Sequence, residues 1–147
     1  MCLSDIMVQS KSRLDYALSD NYKSMFSDIF SLLNGYGYKL FLFGSFSRGT
    51  VSPKSDVDLL LIVPNIRLIP RMKKELKNRF DDQLIDIMVN HGKEIDLKVY
   101  GELDFIESSK VNYFEGSIIQ DLILLEDVIN GRWVSEKGYV LFCWCRL

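Results

Sequence analysis

The chain has 147 residues, 48% of them hydrophobic, with a formal net charge of −2 and a sequence pI near 5.4. That length builds one packed domain with its own core, so the expectation is a single domain over residues 1–147. The near-neutral charge excludes a protein made to coat DNA or RNA, and no run approaches the ~20 apolar residues of a membrane span. Cys2, Cys143 and Cys145 make no even disulfide framework. Cys143-x-Cys145 with one distant histidine, His91, is poor zinc-site material. All three read as reduced thiols of a cytoplasmic protein, and the N-terminus shows no signal peptide.

Residues 1–18 read as an extension or a first helix. Tyr22, Met25, Phe26, Ile29, Phe30 and Leu33 recur at helical spacing, so a helix runs from about Asn21 to Asn34-Gly35. Leu14, Ala17 and Leu18 extend the same stripe backwards. Residues 38–43 are apolar and aromatic enough for a strand buried on both faces. Gly44 permits a sharp turn, and Ser45 is placed to cap the helix that follows. A loop with Pro53 leads to a second strand over about Asp56–Val63, stopped by Pro64-Asn65.

Met72, Leu76, Phe80, Leu84, Ile87 and Met88 predict a helix from about Pro70 to Asn90, with Gly92 beyond its end. The competing reading makes residues 84–89 a strand. Glu94–Tyr100 alternates and is β-rich, which suits a third strand. Short helices around Leu103–Ser108 and Asn112–Ile119 follow, then a last short strand within Leu122–Leu125. The core therefore spans about residues 20–126, an α/β arrangement of α+β type with helices on a small mixed sheet. The tail, 127–147, holds the apolar run Tyr139–Cys145, read as a core edge strand in preference to an exposed patch. Arg67, Arg71, Lys73, Lys74, Lys77 and Arg79 form a basic run, a solvated helix face with a weak phosphate-facing role as the alternative.

The chemistry gathers around Gly44–Leu61. Residues two apart on a strand share a face, so Asp56 and Asp58 project together. Two carboxylates on an apolar strand are unfavourable unless neutralised, and a divalent cation neutralises them. Mg²⁺ prefers such oxygen ligands, and two ions ~3.5–4 Å apart would clamp the oxygens of an in-line displacement. Backbone N–H groups after Gly44, the Ser45 hydroxyl and Arg48 would cradle a triphosphate. These parts point to transfer of a nucleotidyl group from an NTP.

Gly44-Ser45, ten residues, then Asp56-x-Asp58 resembles the signature of the DNA polymerase beta-like nucleotidyltransferase superfamily, above all its minimal nucleotidyltransferase (MNT) group. Arg48-Gly49 and Ser55-Asp56-Val57-Asp58-Leu59 also match the group's common pattern, which adds Ser55 to the nucleotide-binding set. The resemblance covers about residues 20–126. It implies a third acidic residue on the next core strand, best filled by Asp96 with Asp86 as the alternative, so that Asp56, Asp58 and Asp96 are both catalytic and metal-holding. It further implies ATP as donor and Mg²⁺ as cofactor. The implied role is the antitoxin half of a HEPN/MNT pair, which AMPylates a tyrosine of a HEPN-type toxin. No Arg-x4–6-His motif of the ribonuclease itself is present.

No appended nucleic-acid-holding domain is visible, so the small domain or a partner must present the acceptor. Other acceptors consistent with the same donor site are a small molecule such as an aminoglycoside, or an RNA 3′ end, the latter not favoured. A non-catalytic antitoxin that works by occlusion is the reading from a different class.

Overall fold

The computed structural model describes residues 20–130. Helix α1 (Asp20–Leu33) and a 3-10 turn (Asn34–Tyr36) lead into strand β1 (Lys39–Phe43), short helix α2 (Gly44–Arg48) and strand β2 (Val57–Val63). Long helix α3 (Pro70–His91) connects to β3 (Ile95–Gly101), followed by α4 (Glu102–Val111) and α5 (Tyr113–Ile118). A second 3-10 turn (Ile119–Asp121), strand β4 (Ile123–Leu124) and α6 (Leu125–Asn130) complete the described chain. The four strands form one mixed sheet in the order β3-β2-β1-β4. β2 and β3 are parallel, and β1 is antiparallel to both its neighbours.

Alternation along each strand splits the core in two. Leu40 and Leu42, Val57, Leu59 and Leu61, and Ile95, Leu97 and Val99 face α1, α3 and α6. Phe41, Phe43, Leu60 and Ile62 face the other way, onto Phe105, Ile118 and Leu122. Leu59 to Ile62 are all fully buried, each contributing about 1.5–3 kcal/mol. A central strand apolar on both faces is what the composition of residues 38–43 and 59–62 requires.

Helix α1 buries Met25, Phe26, Ile29 and Leu33, the stripe expected from spacing. It ends one residue before Asn34, and Gly37, with φ +71°, turns the chain into β1. Helix α3 starts on Pro70 and is closed by Gly92, whose N–H donates to the Met88 carbonyl at 2.9 Å. The helical reading of residues 84–89 therefore stands over the strand. Only Phe80, Leu84 and Ile87 are buried, however, and Met72 is 44% exposed, so the first turns of α3 stand off the core. Parallel β2 and β3 need a crossover connection, and α3 supplies it.

β2 begins at Val57, one residue later than expected, which leaves Asp56 in the approaching loop. α4 runs three residues past the expected Ser108 to Val111, and β4 falls inside the expected Leu122–Leu125. No described helix is long and apolar enough to cross a membrane. The three cysteines, the run Tyr139–Cys145, the apolar positions Leu14, Ala17 and Leu18 and the segment 1–18 lie outside the described residues.

Candidate active site

β1 and β2 run antiparallel, with Phe43 opposite Asp58, and β2 and β3 run parallel, with Asp58 opposite Asp96. The end of β1 and the starts of β2 and β3 thus meet at one rim of the sheet. Asp58 shares its strand face with Leu60 and Ile62, while Asp96 shares its own with Lys98 and Tyr100. The two carboxylate-bearing positions sit side by side on adjacent strands, about 4.8 Å apart in the hydrogen-bonding direction.

Gly44, with φ +73°, turns the chain directly against them. A Cβ placed on Gly44 would lie 2.2 Å from Asp58 Oδ2, so this position has neither the conformation nor the room for a side chain. α2 is anchored from behind by Phe46, which is fully buried and meets Tyr22 and Phe26 edge to face at ring-centre distances of 4.8 and 5.6 Å. Ser45 lies inside α2. The residue at the N-cap is Phe43, and no side chain caps the helix, so the capping role expected of Ser45 is not observed. The αL geometry needed at Gly44 starts the helix one residue too early for that role.

Burial raises the pKa of Asp58 above the ordinary carboxylate value, and the neighbouring charges of Asp96 and then Asp56 push it further. Lys98 and Arg48 act in the opposite direction. These groups therefore form one electrostatic cluster. Asp86, the alternative third carboxylate, is exposed on α3 and has no place in the strand register that joins Asp58 to Asp96. A helix displays it there, so Asp96 is the carboxylate that the fold brings to Asp58.

The phosphate-binding candidates are held by bonds that sequence reasoning did not find. Arg48 Nη1 contacts Asp121 Oδ2 at 3.0 Å, and the Ser47 hydroxyl donates to the Asp121 carbonyl. Ser55 Oγ accepts the Ser52 N–H at 2.8 Å, so this serine shapes the loop before Asp56. Lys93 Nζ donates to the carbonyls of Ser52, Pro53 and Ser55 at 3.3, 3.1 and 3.0 Å, pinning the same loop. Asp121, Lys93 and Lys98 carried no sequence signal: each is an ordinary charged residue whose partners are distant or on another element.

Among the described residues, no three Asp, Glu, His or Cys side chains close around a common point. Lys98 Nζ lies 3.4 Å from Asp96 Oδ2, with both side chains about 40% exposed. A pair so exposed contributes about 0–1 kcal/mol, too little to hold Asp96 against a divalent cation. The donor set itself fits Mg²⁺: oxygen ligands only, mutually repelling, beside a turn with no side chain to fill the space. Asp56, Asp58 and Asp96 are the residues that would hold it.

A family model described as nucleotidyltransferase domain matches residues 23–125, most of the chain. The chain belongs to the nucleotidyltransferase-domain family. Its α+β sheet is consistent with that fold, and the matched region contains every site residue discussed above. Among curated proteins no sequence matches. Among solved structures, the nucleotidyltransferase domain aligns with a chain from a crystal structure of a toxin-antitoxin with AMP-PNP, at 17% identity and a TM-score of 0.39. That alignment covers 80% of this chain and 86% of the other. A likeness so distant carries no argument about ligand or partner.

Proposed function

We propose that this nucleotidyltransferase-domain protein moves AMP from ATP, with Mg²⁺, to the hydroxyl of a tyrosine on a HEPN-type toxin, and acts as its antitoxin. The observation that carries the transferase part is the register of Asp58 against Asp96, beside a glycine turn packed directly against the Asp58 carboxylate. The antitoxin part, the tyrosine and the HEPN partner rest on the likeness of Gly44-Ser45-x10-Asp56-x-Asp58 to the MNT group.

In this reading the acceptor oxygen attacks the α-phosphorus of ATP, the bond from that phosphorus to the bridging oxygen breaks, and pyrophosphate leaves. Asp96, on the outer strand, takes the acceptor's proton. Asp56 and Asp58 face the donor phosphates, and Arg48 adds positive charge at the same rim. Bound Mg²⁺ would supply charge neutralisation at the phosphates and a lowered pKa for the attacking hydroxyl. The Gly44 turn allows the triphosphate's backbone contacts without a Cβ in the way.

One observation favours a second reading. Lys98 Nζ lies 3.4 Å from Asp96 Oδ2, a contact that would suit a binding antitoxin without catalysis. Incubation with Mg²⁺, labelled ATP and a co-encoded partner separates the two. Label on a partner tyrosine, lost in Asp56→Ala with Asp58→Ala, supports the enzyme. Label on an aminoglycoside or an RNA 3′ end instead moves the acceptor. Equal labelling by the double variant, or no binding of ATP with Mg²⁺, overturns it.

A further inference from the structure

A cleft of about 450 Å³ opens where the first turns of α3 pass the C-terminal end of β3 and helices α4 and α5. It is separate from the donor site. Asp96 lies near the start of β3 and Tyr100 near its end, on the same face and about 13 Å apart at 3.3 Å per residue. Lys98 stands between them and acts electrostatically on both Asp58 and Lys73.

Lysines outnumber carboxylates along the cleft wall. Lys73, Lys74 and Lys77 line it together with Tyr100, Asp104 and Glu115. Both carboxylates already have work within the wall. Asp104 accepts the Leu68 N–H at 2.6 Å, and Glu115 accepts the Tyr100 hydroxyl at 2.9 Å. Lys77 is paired with Asp81 at 2.9 Å. Lys73 and Lys74 close no ion pair among the described residues; Lys73 Nζ is held 3.8 Å over the Tyr100 ring, half-buried, and Lys74 is exposed.

The rest of the basic run is used elsewhere. Arg67 joins Glu107, Arg71 joins Glu75 at 3.2 Å, and Arg79 lies over the rings of Tyr36 and Phe80. What remains is a compact spot of two ammonium groups in no ion pair among the described residues, Lys73 over the Tyr100 ring and Lys74 exposed, where an RNA backbone would need a continuous stripe of them. A short acidic peptide segment needs only such a spot.

We propose that this cleft seats the acidic flank of a protein acceptor, with Lys73 and Lys74 holding Asp or Glu side chains of an extended segment whose hydroxyl residue reaches Asp96. The inference rests on the transferase reading. An extended peptide advances ~3.4 Å per residue, so the acidic residues lie about four positions from the modified one.

The test is binding of a fluorescent random copolymer of glutamate and tyrosine, read by anisotropy without nucleotide, with a lysine–tyrosine copolymer and oligouridylate as competitors. The expected result is binding weakened at least tenfold by Lys73→Gln with Lys74→Gln, and unchanged by Arg71→Gln on the same helix. Lys74→Gln alone, at an exposed position, should weaken binding severalfold and keeps the test valid if the double variant is misfolded. Equal loss in Arg71→Gln, no loss in the lysine variants, or tighter binding of oligouridylate overturns the proposal. Lysine-dependent binding with no nucleotide transfer to any acceptor defeats the transferase reading alone. Transfer to a partner with lysine-independent binding defeats the cleft alone.

Discussion

Gly44 and Asp58 are in such close approach that a single methyl group on the glycine would lie 2.2 Å from a carboxylate oxygen. Gly44→Ala therefore has two defects, a β-carbon at φ +73° and a collision at the site. The expected outcome is a loss of about 1–3 kcal/mol in urea unfolding, together with loss of nucleotide binding. Asp58→Ala combined with Gly44→Ala should recover the collision part of the stability and none of the binding. Additive losses in that pair would mean that the contact is not the cause.

The two candidate third carboxylates make different predictions. Asp96→Ala should abolish nucleotidyl transfer, because Asp96 is the residue in register with Asp58. Asp86→Ala, on an exposed turn of α3, should leave transfer and thermal midpoint within error of the unaltered protein.

Mg²⁺ should raise the thermal midpoint if the three carboxylates hold it. At a hundredfold excess over its dissociation constant, a ligand of the native state adds about 2.7 kcal/mol. That gain should vanish in Asp58→Asn and in Asp96→Asn. The two metal-free variants should be at least as stable as the unaltered protein, since each removes repulsion from the cluster.

Lys93 has three carbonyl partners in the loop before Asp56. Lys93→Met keeps the aliphatic stem and removes the donors, and should destabilise the protein by about 1–3 kcal/mol. Amide exchange at Ser55 and Val57 should quicken, with Leu60 and Leu61 unaffected. Exchange that speeds up throughout β2 would argue against a local role.

Tyr100 gives the clearest pH dependence. Burial, and next the hydrogen bond to Glu115, raise its pKa above the ordinary tyrosine value. The folded protein therefore keeps this proton where the unfolded chain loses it, and stability falls as pH rises above about 10. Tyr100→Phe should cost about 0.5–1.5 kcal/mol near pH 8, through the lost hydrogen bond to Glu115. That deficit should shrink towards pH 11, followed by urea midpoints across the range.

Much of this was legible because the signals were local. The apolar spacing of Met25, Phe26, Ile29 and Leu33 gave α1, and Pro70 and Gly92 bracketed α3 to within two residues. Gly44, Asp56 and Asp58 stood out because glycine before a polar turn and carboxylates on an apolar strand have few other physical reasons. The misses are of another kind. Ser45 looked like a cap because serine caps helices, yet the backbone begins α2 at Gly44. Met72 fits the helical stripe in sequence but is 44% exposed, because the core contacts of α3 begin further along, at Phe80, Leu84 and Ile87. Asp121, Lys93 and Lys98 take their meaning from partners on other elements or from the sheet register, which no pattern along the chain displays.

The parallel pairing of β2 with β3 has a consequence for how the protein is made. Gly44, Asp56 and Asp58 lie on neighbouring stretches that an antiparallel pair can bring together early. Asp96 joins them only after α3 has formed and carried the chain back across the sheet, a non-local closure of the kind that slows folding. A nascent chain that has emerged only as far as α3 therefore carries half a site, with the flank of β2 bare. On the proposed function, nucleotide binding should switch on late and all at once, so its onset during synthesis or refolding would report the moment at which β3 docks.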